Sequence, residues 1–217
     1  MANAGASALL HITMADPGLA RRVSRTPGAL SALVATVAAG GKAALGSSIA
    51  LATLAGAGSA LARRVAATSG ALPALVASVA ASGAHATPGE RQAAENSALT
   101  LGKIAGANDP GLARRVAGVP GALPALASCV AAGGRAASYC ASSLVVIAAA
   151  GPELAQRVAE VPGALAALAA AAAAGGNAGK YSTWALAEIA AADSGLAQPV
   201  AEVPRALTAL VGRCCGG

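Results

Sequence analysis

The residues of this sequence that are best suited to chemistry are few and widely separated. The two histidines, His11 and His85, fall in distant parts of the chain. The four cysteines have neither a CxxC spacing nor an adjacent histidine: Cys129, Cys140, Cys214 and Cys215. The sequence also lacks motifs of the GxSxG, Walker and HExxH types, which place a nucleophile, a phosphate loop or a metal on a defined element. We therefore expect no catalysis, no metal and no cofactor.

Arginine is the one charged residue type that recurs at regular positions. It appears in a motif that reads LARRV three times and LAQRV once, and its members are Arg21, Arg22, Arg63, Arg64, Arg114, Arg115 and Arg157. If these residues stack from one repeat to the next, they form a basic edge suited to an acidic partner or an anionic membrane. The alternative is a solvated helix face whose arginine stems cover neighbouring apolar side chains.

Composition narrows the classes of partner and the compartment. The formal charge is +6, but only 11% of the residues are charged and 1% are aromatic. This disfavours nucleic acid, whose binders cluster basic residues with stacking aromatics. The uncharged segment 43–62 is long enough to cross a bilayer, but it is rich in small and polar residues, so we expect a buried helix. The start of the chain does not resemble a secretory signal, and we expect a cytoplasmic protein, with the nucleus as the alternative.

The arginine motif marks an internal repeat. With a fifth copy that reads LAQPV at 196–200, the copies begin 42, 51, 42 and 42 residues apart. A second motif, PGALxAL or a one-residue variant of it, follows each copy in a constant phase. Regular spacing of this length is typical of solenoids. We expect one domain over 1–217, made of a partial unit, four whole units and a second partial unit: 1–16, 17–58, 59–109, 110–151, 152–193 and 194–217.

Each unit is expected to contain three helices, because alanine and leucine dominate and both favour helices. The short first helix, such as 152–160, ends at a Pro-Gly corner, where proline discourages continuation and glycine permits a sharp turn. The second helix, such as 163–174, ends at paired glycines. The third is longest and has apolar residues at helical spacing, such as Leu186 and Ile189. Extra residues at 84–91, including His85, are expected to lengthen the turn before one third helix.

With these features the sequence resembles the armadillo repeat family. The resemblance rests on the 42-residue period, the short–medium–long helix order and the GAL-P-AL start of the second helix, and it covers essentially the whole chain. It implies an all-α fold, a right-handed αα superhelix in which the third helices line a groove that holds an extended peptide.

The resemblance also indicates which positions face the groove. In members of the importin type, a ladder of tryptophan and asparagine holds the peptide. Here the tryptophan positions are Ser7, Ile49, Leu99, Ser142 and Trp184, and the asparagine positions are His11, Thr53, Lys103, Val146 and Glu188. Only Trp184 matches, so recognition of nuclear signals is not supported. The groove residues that we expect to be distinctive are His11, Thr53, Lys103, Trp184 and Glu188.

Trp184 has two interpretations. It is either an anchor that contacts a partner, as tryptophans often are in binding hot spots, or a partly covered core residue beside the incomplete last unit.

The ends of the array have two further features. Leu207, Leu210 and Val211 have no following third helix to cover them, so we expect self-association or contact with further repeats. The tail at 213–217 contains the Cys214-Cys215 pair of a lipidated end but has glycines after it, which leaves lipidation open.

The function expected from the sequence is a non-catalytic scaffold that binds a partner protein or an extended peptide along the groove. The alternative is a basic, membrane-peripheral adaptor that uses the arginine edge. A third interpretation is a fragment of a longer array.

Overall fold

The computed structural model describes residues 8, 11–12, 16–82, 86–107 and 109–215, with the backbone alone at 17, 209 and 212–215. The regular secondary structure of this part of the chain is entirely α-helical. The bounded helices are α1 (Pro17–Arg25), α2 (Ala29–Ala39), α3 (Gly41–Gly56), α4 (Ser59–Ala67), α5 (Ala71–Ala80), α6 (Pro88–Ala105), α7 (Pro110–Ala117), α8 (Ala122–Ala132), α9 (Gly134–Ala149), α10 (Pro152–Ala159), α11 (Ala164–Ala174), α12 (Gly176–Ala192), α13 (Ser194–Glu202) and α14 (Ala206–Cys215).

The helices stack in two layers with the short helices at one edge. The third helices pack in the order α3, α6, α9 and α12, and the second helices pack in the order α2, α5, α8, α11 and α14. Each third helix also packs on the second helix of its own triple. The result is a solenoid in which every repeat unit contacts mainly the units next to it, as is typical of repeat proteins.

The core between the layers repeats the same side chains. The second helices α2, α5, α8 and α11 each bury one leucine almost completely: Leu33, Leu75, Leu126 and Leu168. The third helices bury a leucine and an aliphatic partner three residues later, such as Leu144 and Ile147 at 0% exposure. Truncation of such a leucine to alanine typically costs about 2–5 kcal/mol, so these positions hold the units together.

The Pro-Gly corners set the angle between the first and second helices. Gly121 and Gly163 adopt φ of 78° and 77°, a left-handed conformation that glycine enters without a Cβ penalty. The chain bends by 82° between α7 and α8 and by 87° between α10 and α11. In the last corner the equivalent residue is Arg205, with φ of 70°.

The extra residues before α6 differ from the prediction of a longer turn at 84–91. Helix α6 already begins at Pro88, so Pro88–Arg91 form its first turn, while 83–85, with His85, lie outside the described residues. Thr87 Oγ1 accepts from Glu90 N at 3.3 Å, and Glu90 Oε2 accepts from Thr87 N at 2.8 Å. This capping box satisfies donors that a helix start otherwise leaves open. It also holds the pKa of Glu90 below its usual value.

Helix α14 is only partly covered. Leu207 is 54% exposed and Val211 is 61% exposed, whereas Leu210 is half-buried against the core. Among the described helices none is by itself long and apolar enough to cross a membrane, although the bent pairs α7–α8 and α10–α11 have the required length and composition.

Candidate functional site

The third helices present a surface with two adjacent cavities, and we call this surface the groove. The Lys103 cavity, of about 450 Å³, lies among α3, α6 and α9. The Trp184 cavity, of about 620 Å³, lies mainly between α9 and α12 and reaches the end of α6. Gly106 and Ser142 line both cavities. The two cavities therefore form one continuous depression along four successive third helices, α3, α6, α9 and α12.

Lys103 is held across the floor of its cavity. Its Nζ donates to the backbone oxygen of Ala52 on α3 at 3.1 Å. Its side chain lies directly over Gly56, where a Cβ would overlap the ammonium group. Half-burial of the ammonium lowers the pKa of Lys103, because desolvation disfavours the charged form. Since an ammonium has three donors, the bond to Ala52 leaves capacity for a ligand.

Trp184 and Glu188 form the polar and aromatic part of the second cavity. They are four residues apart on α12 and so lie on one helix face. Trp184 is 39% exposed, and its Nε1 donates to Glu188 Oε1 at 3.0 Å. Tyr181, Val145 and Val146 complete the apolar lining. Trp184 is therefore an exposed side chain that lines a cavity. This position fits the interpretation as an anchor for a partner better than the interpretation as a core residue.

Asp109 supplies the second carboxylate of the Trp184 cavity. It caps α7, because its Oδ1 accepts from Gly111 N at 3.0 Å. Its Oδ2 lies 3.5 Å from Arg63 Nε, so its charge is partly compensated. Sequence reasoning missed Asp109 and Tyr181. The first looked like a helix-start residue, and the second lies one helical turn before Trp184, which is the signal that would have indicated it.

The remaining predicted groove residues lie elsewhere. Thr53 Oγ1 donates to Ile49 O of its own helix at 2.9 Å, and Thr53 lines neither cavity. His11 is helical and exposed near the start of the described chain. The structure therefore brings Trp184 and Glu188 together, places Lys103 in the adjacent cavity, and leaves Thr53 and His11 outside both.

The arginine edge divides into two roles. The arginine at the fourth position of the motif donates to a backbone oxygen at the end of the preceding short helix: Arg64 Nη2 to Ser24 O at 2.7 Å, Arg115 Nη2 to Ala66 O at 2.9 Å and Arg157 Nη2 to Ala117 O at 2.8 Å. We call these three bonds the arginine clasps. They satisfy carbonyls that a helix end leaves without an intrahelical partner. The first arginines, Arg21, Arg63 and Arg114, are exposed, as is Arg22.

Two of the four cysteines are part of the core. Cys129 and Cys140 are free thiols with exposed fractions of 4% and 0%. Burial raises the pKa of Cys140 well above its usual value, so it stays protonated at neutral pH and packs as a small apolar side chain. The side chains of Cys214 and Cys215 lie outside the described residues.

Comparison with known proteins identifies the fold. No family model matches the chain, and no curated protein matches it either. A designed armadillo repeat protein in complex with peptide (KR)4 superposes with a TM-score of 0.80 at 22% identity, covering 98% of this chain and 84% of the other. Computationally designed armadillo repeat proteins for modular peptide recognition give a TM-score of 0.82 at 23% identity, covering 95% and 83%.

The chain has the armadillo-repeat fold. A further designed armadillo repeat protein, at 23% identity and a TM-score of 0.80, covers 95% of this chain and 83% of its own. The prediction of an all-α armadillo solenoid is thus confirmed. In armadillo terms, both cavities lie on the third helices, and the arginine clasps join the short first helices.

Proposed function

We propose that this protein is a non-catalytic scaffold that holds an extended peptide segment of a partner protein in the groove. The observation that carries the proposal is the continuous depression formed by the Lys103 and Trp184 cavities along four stacked third helices. Concave sites with apolar walls and a few placed polar groups are the usual form of a binding site. Of the proteins with this fold, one is a design in complex with peptide (KR)4 and others are designs for modular peptide recognition, which supports the same use here.

Trp184 is the expected anchor of the peptide. Tryptophan is enriched among the residues that dominate binding energy, and here the indole is exposed beside an apolar lining that includes Val145 and Val146. A peptide side chain that enters this cavity would cover the indole face and displace water from the valines. Removal of the indole should therefore weaken binding more than any change at the arginine edge.

The single tryptophan of the chain makes this proposal directly measurable. Peptides selected from a randomised display library should shift the emission of Trp184 on titration. Trp184→Ala should weaken binding of the same labelled peptides at least tenfold in fluorescence anisotropy. Arg114→Ala, which changes an exposed residue away from both cavities, should bind them as wild type does.

Two results would contradict the proposal. Selected peptides could bind with no change in Trp184 emission and equal affinity for Trp184→Ala, which would put the binding surface elsewhere. The library could also yield no peptide that depends on the folded solenoid, which would leave the groove without a ligand of this class.

The membrane-peripheral alternative has less support, because three of its seven arginines are engaged in clasps. Flotation with vesicles containing anionic lipid tests it directly. If the protein floats with anionic vesicles and Arg21→Gln with Arg63→Gln abolishes flotation, the arginine edge is a membrane surface. We expect no flotation at physiological salt, since the four arginines outside the clasps are spread over three short helices and their attraction to the membrane is screened.

A further inference from the structure

We propose that the groove selects a peptide carrying an acidic and a basic side chain about five residues apart, the acidic one at Lys103 and the basic one at Trp184 and Glu188. This inference rests on the function proposed above and defines the chemistry of its ligand. It is carried by the opposite charge of the two cavities.

The first cavity has a cationic character. Among the described residues that line it, Lys103 is the charged one, accompanied by the hydroxyl groups of Ser59, Tyr139 and Ser142. Lys103 is fixed by its bond to Ala52 O, so little side-chain entropy remains to be lost when a ligand binds. Among the described residues no carboxylate forms an ion pair with the Lys103 ammonium, which burial desolvates. A carboxylate of the ligand would supply the opposite charge.

The second cavity has the opposite character. Its charged lining residues are Asp109 and Glu188, and Arg63 already compensates Asp109 at 3.5 Å. Glu188 binds Trp184 Nε1 through Oε1 and has a second carboxylate oxygen that can accept from a ligand. A guanidinium or ammonium group can lie over the indole face, which attracts cations, and bond to Glu188 at the same time.

The spacing of the two charges follows from the packing of the third helices. Lys103 is on α6 and Glu188 is on α12, with α9 between them. Packed helices lie about 8–10 Å apart, so two steps span about 16–20 Å. An extended chain covers about 3.3–3.6 Å per residue. The acidic and basic residues of the peptide are therefore expected about five positions apart.

The test uses short synthetic peptides in which only the charges vary. The lead peptides are acetylated and amidated, with an alanine–threonine background and one Glu and one Arg five positions apart, in both orders. The comparison peptides carry Glu and Glu, Arg and Arg, or Gln and Gln at the same positions, and two further peptides replace only the Glu or only the Arg by Gln. One order of the Glu–Arg peptide should bind at least tenfold more tightly than the first three comparison peptides, by calorimetry and Trp184 emission.

Near-isosteric variants locate each charge. Lys103→Met keeps the aliphatic stem and should remove the preference for Glu over Gln. Glu188→Gln keeps an acceptor for the indole and should remove the preference for Arg over Gln. Lys180→Met and Glu153→Gln make the same chemical changes at exposed positions outside both cavities, and they should leave both preferences intact.

A charge exchange gives the most stringent result. The double variant Lys103→Glu with Glu188→Lys should prefer the peptide with Glu and Arg in the reverse order, once circular dichroism shows that it is folded. The inference is overturned if the Arg–Arg or Gln–Gln peptide binds wild type as tightly as the better Glu–Arg peptide, or if Lys103→Met retains the preference for Glu. In those cases library peptides that still depend on Trp184 would leave the proposed function intact, whereas their failure would remove it.

Discussion

Two adjacent arginines of the same short helix have different surroundings. Both are exposed, but Arg115 bonds to the backbone oxygen of Ala66 in the preceding unit, whereas its neighbour Arg114 is not part of a clasp. A motif search treats the two as equivalent. The structure separates an arginine that joins units from one that remains available to solvent or to a partner.

The first prediction compares these two residues. Arg115→Met should lower the free energy of unfolding by about 1–3 kcal/mol, because it removes a charge-assisted hydrogen bond and leaves a partly buried carbonyl without a partner. Arg114→Met, the matched control, should stay within about 0.5 kcal/mol of wild type. Urea denaturation followed by circular dichroism measures both. Equal effects would show that the clasp contributes nothing beyond the arginine stem.

The second prediction concerns the titration of Lys103. In the folded protein its pKa lies below the ordinary value of 10.5, because burial desolvates the ammonium group. Reductive methylation with labelled carbon, followed by NMR, should show a Lys103 resonance that titrates below 10.5. The charged form is disfavoured only in the folded state, so this cost is present at neutral pH and is relieved as pH rises through the folded pKa towards 10.5.

The free energy of unfolding of Lys103→Met, compared with that of wild type, tests the same effect in a second experiment. Its advantage over wild type, if measured at each pH, should shrink as pH rises from the folded pKa of Lys103 to 10.5. A difference that is constant with pH, together with a resonance at the ordinary value, would mean that Lys103 stays solvated.

At the scale of the helix, α13 departs from the pattern of the other short helices. Pro199 occupies the position of the clasp arginine and lies inside the helix. An interior proline lacks the backbone donor and its ring clashes with the preceding turn. By the spacing of the other clasps, an arginine here would meet Ala159 O at the end of α10.

The third prediction restores this missing clasp. Pro199→Gln should raise the stability of the C-terminal helices, because it removes the proline penalty of about 3 kcal/mol. Pro199→Arg should exceed Pro199→Gln by about 1–3 kcal/mol if the new guanidinium bonds to Ala159 O. Hydrogen exchange of the α10 and α13 amides reports both effects locally. Identical protection in the two variants would show that position 199 cannot reach α10.

Helix boundaries were well predicted where proline and glycine residues mark them in the sequence. The second helix expected at 163–174 is Ala164–Ala174, and the first helix expected at 152–160 is Pro152–Ala159, because the Pro-Gly corner and paired glycines act on the nearest residues alone. The start of α6 was missed, although Thr87 and Glu90 form a recognisable capping-box pattern in the sequence. Both residues lie in the segment 84–91, which we expected to lengthen a turn, so no helix start was predicted there.

At the scale of the whole molecule, the repeat period predicted the fold, and long-range polar contacts escaped prediction. Each clasp joins a side chain to a backbone oxygen 40 or 49 residues earlier. Every residue has such an oxygen, so the sequence does not indicate which one accepts the hydrogen bond. The same holds for Lys103, whose acceptor is Ala52 O. Asp109 reached the candidate site only because the end of α6 and the start of α7 meet the third-helix surface. Such details depend on how units stack.

The fourth prediction concerns the exposed face of α14. Leu207 and Val211 lie one helical turn apart and expose more than half of their surface, and exposed apolar faces favour association. Wild type should show concentration-dependent association in sedimentation, and Leu207→Gln with Val211→Gln should reduce it. Thr208→Gln, an exposed polar position on the same helix, serves as the control. A wild type that stays monomeric over the whole concentration range contradicts this expectation.

The arginine clasps also bear on how such a chain can change in length. Their acceptors are the backbone oxygens of Ser24, Ala66 and Ala117. A clasp therefore needs only a peptide carbonyl and does not depend on the side chain of the acceptor residue. A unit that carries its own arginine brings half of the joint with it, and the other half is present at the end of every short helix. Duplication or exchange of a whole unit would therefore preserve the junction without compensating substitutions, which leaves groove positions such as 103, 146 and 188 free to diversify independently.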